Sequence, residues 1–133
     1  MMIGDAPTSW YSKLQKCVST SIAESEYYSV SECAKHSLWY INVLNELNIN
    51  INFVTIRVDN KAAIYNCQNY SINPKSKHID IKYHHVRNLI KENKIKLKYI
   101  KSEDNIADGL TKYLSNSSID KFRKLLLYEM KEN

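Results

Sequence analysis

The chain has 133 residues, 44% of them hydrophobic and 25% charged, which is enough apolar matter for one packed core. Nineteen Lys and Arg against 14 Asp and Glu give a formal charge of +5 and a pI near 9.0. That excess permits a nucleic-acid partner without requiring one. No apolar run reaches the ~20 residues that span a bilayer, and "MMIGDAPTSW" lacks the basic-then-apolar order of a secretory leader. No membrane span and no secretory leader are therefore expected in this stretch, and an intracellular site is expected.

Cys17, Cys33 and Cys67 are odd in number and lack CxxC spacing, so they read as reduced thiols filling the core. With two Gly and two Pro against ten Tyr and many Asn, turns must rely on Asn, Ser and Asp.

In chain order, residues 9–13 ("SWYSK") and 16–20 ("KCVST") read as two short strands with a tight connection. Residues 22–47 read as a long amphipathic helix, because Tyr27, Val30, Ala34, Leu38, Ile41 and Leu44 recur at steps of three and four. Asn48 and Asn50 end it. "INFVTIRV", 51–58, is apolar enough to predict an inner strand buried on both faces. A short helix opens at Asp59 or Asn60, and "NYSINPKSK" with Pro74 is a loop. A helix follows over about 78–91, with Ile79, Tyr83, Val86 and Ile90 inward. "KIKLKYI", 94–100, alternates and predicts a strand with one wet face. Helices close the chain at 104–112 and 119–131. The order β-β-α-β-α-α-β-α-α indicates one α/β domain with a mixed sheet flanked by helices, 115–133 being its closing helix and tail.

Three acids occupy comparable points. Glu24 lies in the first turn of the long helix, Asp59 at the carboxyl end of the inner strand, and Asp108 near the start of a late helix. In an open α/β sheet such points converge on one crevice. Hard oxygen ligands gathered there suit Mg²⁺ or Mn²⁺, and two such ions about 4 Å apart promote phosphodiester cleavage. Each acid also has a plain structural use. Ser21-x-x-Glu24 is a capping box, Asp59 can cap a helix, and Asp108 favours a helix start. Spacing alone leaves the two uses evenly matched.

The stretches "QKCVSTSIAESEYYSVSECAKHSLW", "VDNKAAI", "SKHIDIKYHHVRNLI" and "NIADGLTKYL" resemble the ribonuclease H domain of copia-type LTR retrotransposon Pol polyproteins, from about residue 6 to 127. The resemblance implies a ribonuclease H-like fold and metal-dependent hydrolysis of the RNA strand of RNA–DNA hybrids during reverse transcription. It assigns Glu24, Asp59 and Asp108 as catalytic metal ligands for two Mg²⁺ or Mn²⁺ ions. Glu24 is preferred over Glu26, which a helix turns about 200° away. His78, at a position characteristic of that family, is a candidate near the scissile phosphate or in product release, or simply packs at a helix N-terminus. Lys75 and Lys77 either contact phosphate or are simply solvated, and Asn60 and Asn105 are candidate nucleic-acid contacts.

The same resemblance calls for a fourth acid, an Asp on a first, central strand in the order 3-2-1-4-5. This chain starts at "MMIGD", and Asp5 falls at a different place, so the central strand is expected to be missing and the enzyme impaired. An open edge beside 51–58 would then be filled by the hairpin of residues 1–20, or invite another chain, such as the rest of a Pol polyprotein with its reverse transcriptase, or leave the fold weakened. The alternative expectation is an inactive or domesticated remnant that binds nucleic acid or protein. A transposase or integrase core is disfavoured, since those close with Glu rather than the Asp of "NIAD". His84 and His85 are poor joint zinc ligands. Lys94, Lys96 and Lys98 share one strand face, either simply solvated or contacting phosphate. Trp10 and Trp39 are expected in the core.

Overall fold

A computed structural model describes residues 1–4, 6–15, 18–19, 21–69 and 77–126, with backbone only at 77–83, 121, 125 and 126. Along the chain come β1 (Met2–Ile3), β2 (Ala6–Pro7), α1 (Ile22–Glu46), β3 (Val54–Val58), α2 (Lys61–Gln68), α3 (Lys77–Lys91) and β4 (Ile95–Tyr99). Two short 3₁₀ helices follow (Ser102–Asp104 and Ile106–Leu110), and α4 (Asn116–Leu126) is last. The chain is α/β in content. It divides into two compact units, one formed by Met1–Lys16 with Ser102–Asn133, the other by Cys17–Lys101.

The larger unit holds the core. Ser21 starts α1 in an extended conformation (φ −152°), and its hydroxyl accepts from the Glu24 amide at 3.2 Å. The helix buries the stripe Tyr27, Val30, Ala34 and Ile41. These side chains, apart from Ile41, join Ile56, Val58, Ala63, Cys67, Val86, Leu89 and Ile95 in one cluster. α1 lies against α2, α3 and β3, while α2 and α3 contact each other and both strands or β4. β3 and β4 run parallel, pairing Val54 with Ile95 through Val58 with Tyr99. Parallel neighbours need a long crossover, here supplied by α2 and α3.

Asparagine ends two helices where a glycine would be usual. Asn48 (φ 61°) and Asn93 (φ 55°) are left-handed. Ile49 N–H donates to Leu44 C=O and Asn48 N–H to Asn45 C=O, and Lys94 and Asn93 repeat the pattern on Leu89 and Ile90. Both are Schellman closures, and Asn is the residue other than Gly that best tolerates this backbone. The expected use of Asn for turns in a glycine-poor chain holds here.

Several expectations fail. Residues 9–13 and 18–19 carry no strand, while 16, 17 and 20 lie outside the described residues. The antiparallel hairpin forms earlier, as Met2–Pro7 and Ile3–Ala6 pairs around Gly4 at φ +60°, a conformation open to glycine. The inner strand starts at Val54, not residue 51, and the Ile51 amide instead donates to the Asn45 side chain at 2.9 Å. It is also not buried on both faces: Ile56 and Val58 are buried, Thr55 and Arg57 exposed. The polar residues of "VTIRV" take the wet face, as period-two alternation requires. Instead of one mixed sheet, the described strands form two separate two-stranded sheets. The 104–112 helix is two 3₁₀ turns, and α4 begins at 116 rather than 119. Trp10 and Trp39 are 59% and 60% exposed, because Trp39 falls off the stripe that α1 buries. Cys67 is buried and Cys33 half-buried, both free; Cys17 lies outside the described residues.

Candidate functional site

Glu24 stands in the first turn of α1, half-buried, on the turn that Ser21 caps. Glu26 is also half-buried two residues on. Asp59 follows β3 directly. The residue that caps α2 is Asn60, not Asp59: Asn60 Oδ1 accepts from the Ala63 amide at 3.0 Å. That removes the capping explanation for Asp59, whose half-buried carboxylate has no hydrogen bond or ion pair among the described residues. It also gives Asn60 a structural task. Glu24, Asp59 and Asn60 all belong to the larger unit.

Asp108 belongs to the smaller unit and is engaged. Its Oδ2 accepts from Lys112 Nζ at 2.7 Å, and its Oδ1 accepts from Asn105 Nδ2 at 3.3 Å. The pair forms because the chain still turns helically past Leu110. The Lys112 amide donates to the Asp108 carbonyl at 2.8 Å, which sets the ammonium one turn on and over the carboxylate. Asn105 caps this 3₁₀ turn, its Oδ1 accepting from Ala107 N–H at 3.3 Å. Gly109 is needed for close approach, since a Cβ there would meet the Phe122 ring of α4 at 2.5 Å. Sequence reading missed Lys112, although its i,i+4 spacing from Asp108 was the available signal.

Lys75 lies outside the described residues. Lys77 and His78 fall in the first turn of α3, with their side chains outside the description. His84 is exposed and His85 half-buried. Within neither unit do the described residues gather three or more His, Cys, Asp or Glu side chains able to hold a metal ion. By donor chemistry Glu24, Asp59 and Asp108 suit a hard divalent cation. Asp59 is open to one, and Asp108 must first give up Lys112. That ion pair is partly exposed, with Lys112 at 60% and Asp108 at 19%, so it is worth at most about 1 kcal/mol and poses a small obstacle.

Among the described residues no helix is long and apolar enough to cross a membrane. No family model matches the chain, and no solved structure matches it. Among curated proteins, the chain is 36% identical over 121 residues to the retrovirus-related Pol polyprotein from transposon RE1 of Arabidopsis thaliana, covering 90% of this chain and 8% of that protein. It is 35% identical over 123 residues to the corresponding polyprotein of transposon RE2 from the same plant, covering 92% and 8%. It is 33% identical over 118 residues to that of transposon TNT 1-94 of Nicotiana tabacum, covering 89% and 9%. The chain therefore spans less than a tenth of the length of these relatives, and nearly all of it is similar to one region of retrotransposon Pol polyproteins.

Proposed function

We propose that the chain is a retrotransposon-derived, ribonuclease H-like region whose reaction is hydrolysis of the RNA strand of an RNA–DNA hybrid. The observation that carries this reading is Asp59, a carboxylate directly after a strand with no hydrogen bond or ion pair among the described residues, inside a chain similar to Pol polyproteins over about nine-tenths of its length. A half-buried acid that neither caps a helix nor pairs with a cation there leaves its oxygens open to a hard cation.

In this reading Glu24, Asp59 and Asp108 would hold Mg²⁺ or Mn²⁺. When bound, the ions would supply an activated water and stabilise charge on the phosphate. The α1 first turn holds Glu24 by the Ser21 cap, so its backbone is fixed before any ligand arrives. Lys112 and Asn105 hold the Asp108 carboxylate in one orientation. His78 is proposed near the nucleic acid on the resemblance, Lys75 and Lys77 on their charge, and Asn60 and Asn105 would contact it only in addition to their caps. The fourth acid that the resemblance implies is not among these 133 residues, so this polypeptide by itself should bind Mg²⁺ weakly and cleave slowly. Further Pol sequence is the expected partner.

A second reading, a binding module without catalysis, is favoured by one observation: Asp108 is already neutralised by Lys112. Mn²⁺ titration with cleavage of a labelled hybrid separates the two. The hydrolase reading expects slow, Mn²⁺-dependent cleavage that Asp59→Asn and Asp108→Asn abolish. Hybrid binding with no metal dependence and no cleavage supports the module. Cleavage that survives both substitutions refutes the assigned site, and turnover matching a complete domain refutes the expected impairment.

A further inference from the structure

The outer face of the β3–β4 sheet is used neither by the core nor by the three acids. Parallel pairing sets Thr55 beside Lys96 and Arg57 beside Lys98. Residues paired this way share a face, and all four are exposed, while Ile56, Val58 and Ile95 are buried. Lys94 continues the lysine row, but its ammonium is taken by Glu92 at 2.8 Å. Lys96 Nζ stands 3.6 Å from the centroid of Phe53, a ring that is 44% exposed.

Arg57 and Lys98 have no such partners. Among the described residues neither makes a hydrogen bond, ion pair or ring contact. Asp59, the acid two residues beyond Arg57, makes no ion pair with either. Two cations carried side by side on neighbouring strands, whose backbones lie about 4.8 Å apart, repel each other and weaken the sheet. A polyanion between them turns that repulsion into two attractions.

We propose that this face binds the phosphate backbone of single-stranded nucleic acid. One phosphate would sit between Arg57, whose planar fork can donate two parallel bonds, and Lys98. Lys96 stands one strand repeat away, about 6.6 Å along β4, at the step of a neighbouring phosphate. When Lys96 turns to that phosphate, the Phe53 ring is uncovered for a base, and such stacking is sequence-tolerant. The surface carries one short row of cations with one ring beside it, which suits one strand. The inference extends the proposed function without depending on catalysis.

The test is fluorescence anisotropy of a labelled oligothymidylate with the 133-residue chain, in chelator, across a salt series. Arg57→Gln and Lys98→Gln should each lower the log affinity–log salt slope by about 0.7, with unfolding midpoints at or above that of the parent chain. Phe53→Leu should weaken binding with no change in slope, and Lys35→Gln, already paired with Glu32, should change neither. An unchanged slope in the Arg57→Gln, Lys98→Gln double variant overturns the proposal. So does polyglutamate or an anionic vesicle displacing the probe as well as unlabelled oligonucleotide, because the partner would then be an acidic protein or a membrane. Tighter binding of duplex than of single strand overturns the single-strand assignment. Chelator removes metal and cleavage from the readout, so failure of the hydrolase reading does not register here.

Discussion

Arg87 tests how the larger unit is held together. It lies on α3, only 9% exposed, and its Nη2 donates to the backbone carbonyls of Asn66 at 3.2 Å and Asn69 at 2.7 Å. Asn66 is in the last turn of α2 and Asn69 is its C-cap, so the guanidinium satisfies carbonyls that the helix itself cannot and faces the negative end of its dipole. The short bond to Asn69 is charge-assisted and worth about 2 kcal/mol, and the longer one about 1. Arg87→Met forfeits both but no longer buries a charge, and its thioether fills much of the space of the stem, which returns about 1 kcal/mol. The expected net loss is about 2 kcal/mol. For a chain of this size that is a fall of roughly 6–10 °C in Tm. Urea unfolding should show a lower midpoint with unchanged m. Arg87→Lys keeps the charge without the fork and should fall between the two. A Met variant within about 0.5 kcal/mol of the parent would show that the guanidinium only breaks even against its burial, and the reasoning would fail.

Asn93→Gly should raise stability by about 0.5–1 kcal/mol in the same unfolding assay, because glycine adopts the left-handed conformation without the Cβ penalty. Asn93→Val should lower stability by more than 1 kcal/mol. Burial pushes the Cys67 thiol up to about 12, against a smaller opposing pull from Arg87. The folded state therefore keeps a proton that the unfolded chain releases near pH ~8.5. The stability this contributes is complete below that pH and is lost as pH rises toward 12, by up to about 1.4 kcal/mol per unit. Urea midpoints between pH 9 and 11 should fall more steeply for the parent chain than for Cys67→Ala, and parallel slopes would contradict the burial of the thiol.

What the sequence determined by itself was local. The three-and-four rhythm from Tyr27 to Ile41 marks α1, Ser21 marks its start, and the alternation of "KIKLKYI" marks β4, since a side chain's face follows from helical or strand period alone. Asn48 was legible as a stop because few residues accept a left-handed backbone, whereas Asn93, which ends α3 the same way, was not read as one. The candidate acids were legible as residues and motifs. What occupies each of them was not, because Asn60 rather than Asp59 caps α2, and Lys112 holds Asp108. Only the tertiary structure decided which strands pair. The hairpin forms around Gly4, β3 starts at Val54, and Arg57 meets Lys98 across 41 positions of sequence. Pairing and burial depend on contacts between distant segments, and neither propensity nor periodicity carries that information. The same holds for Arg87, whose bonds to the Asn66 and Asn69 carbonyls exist only because α2 packs beside α3.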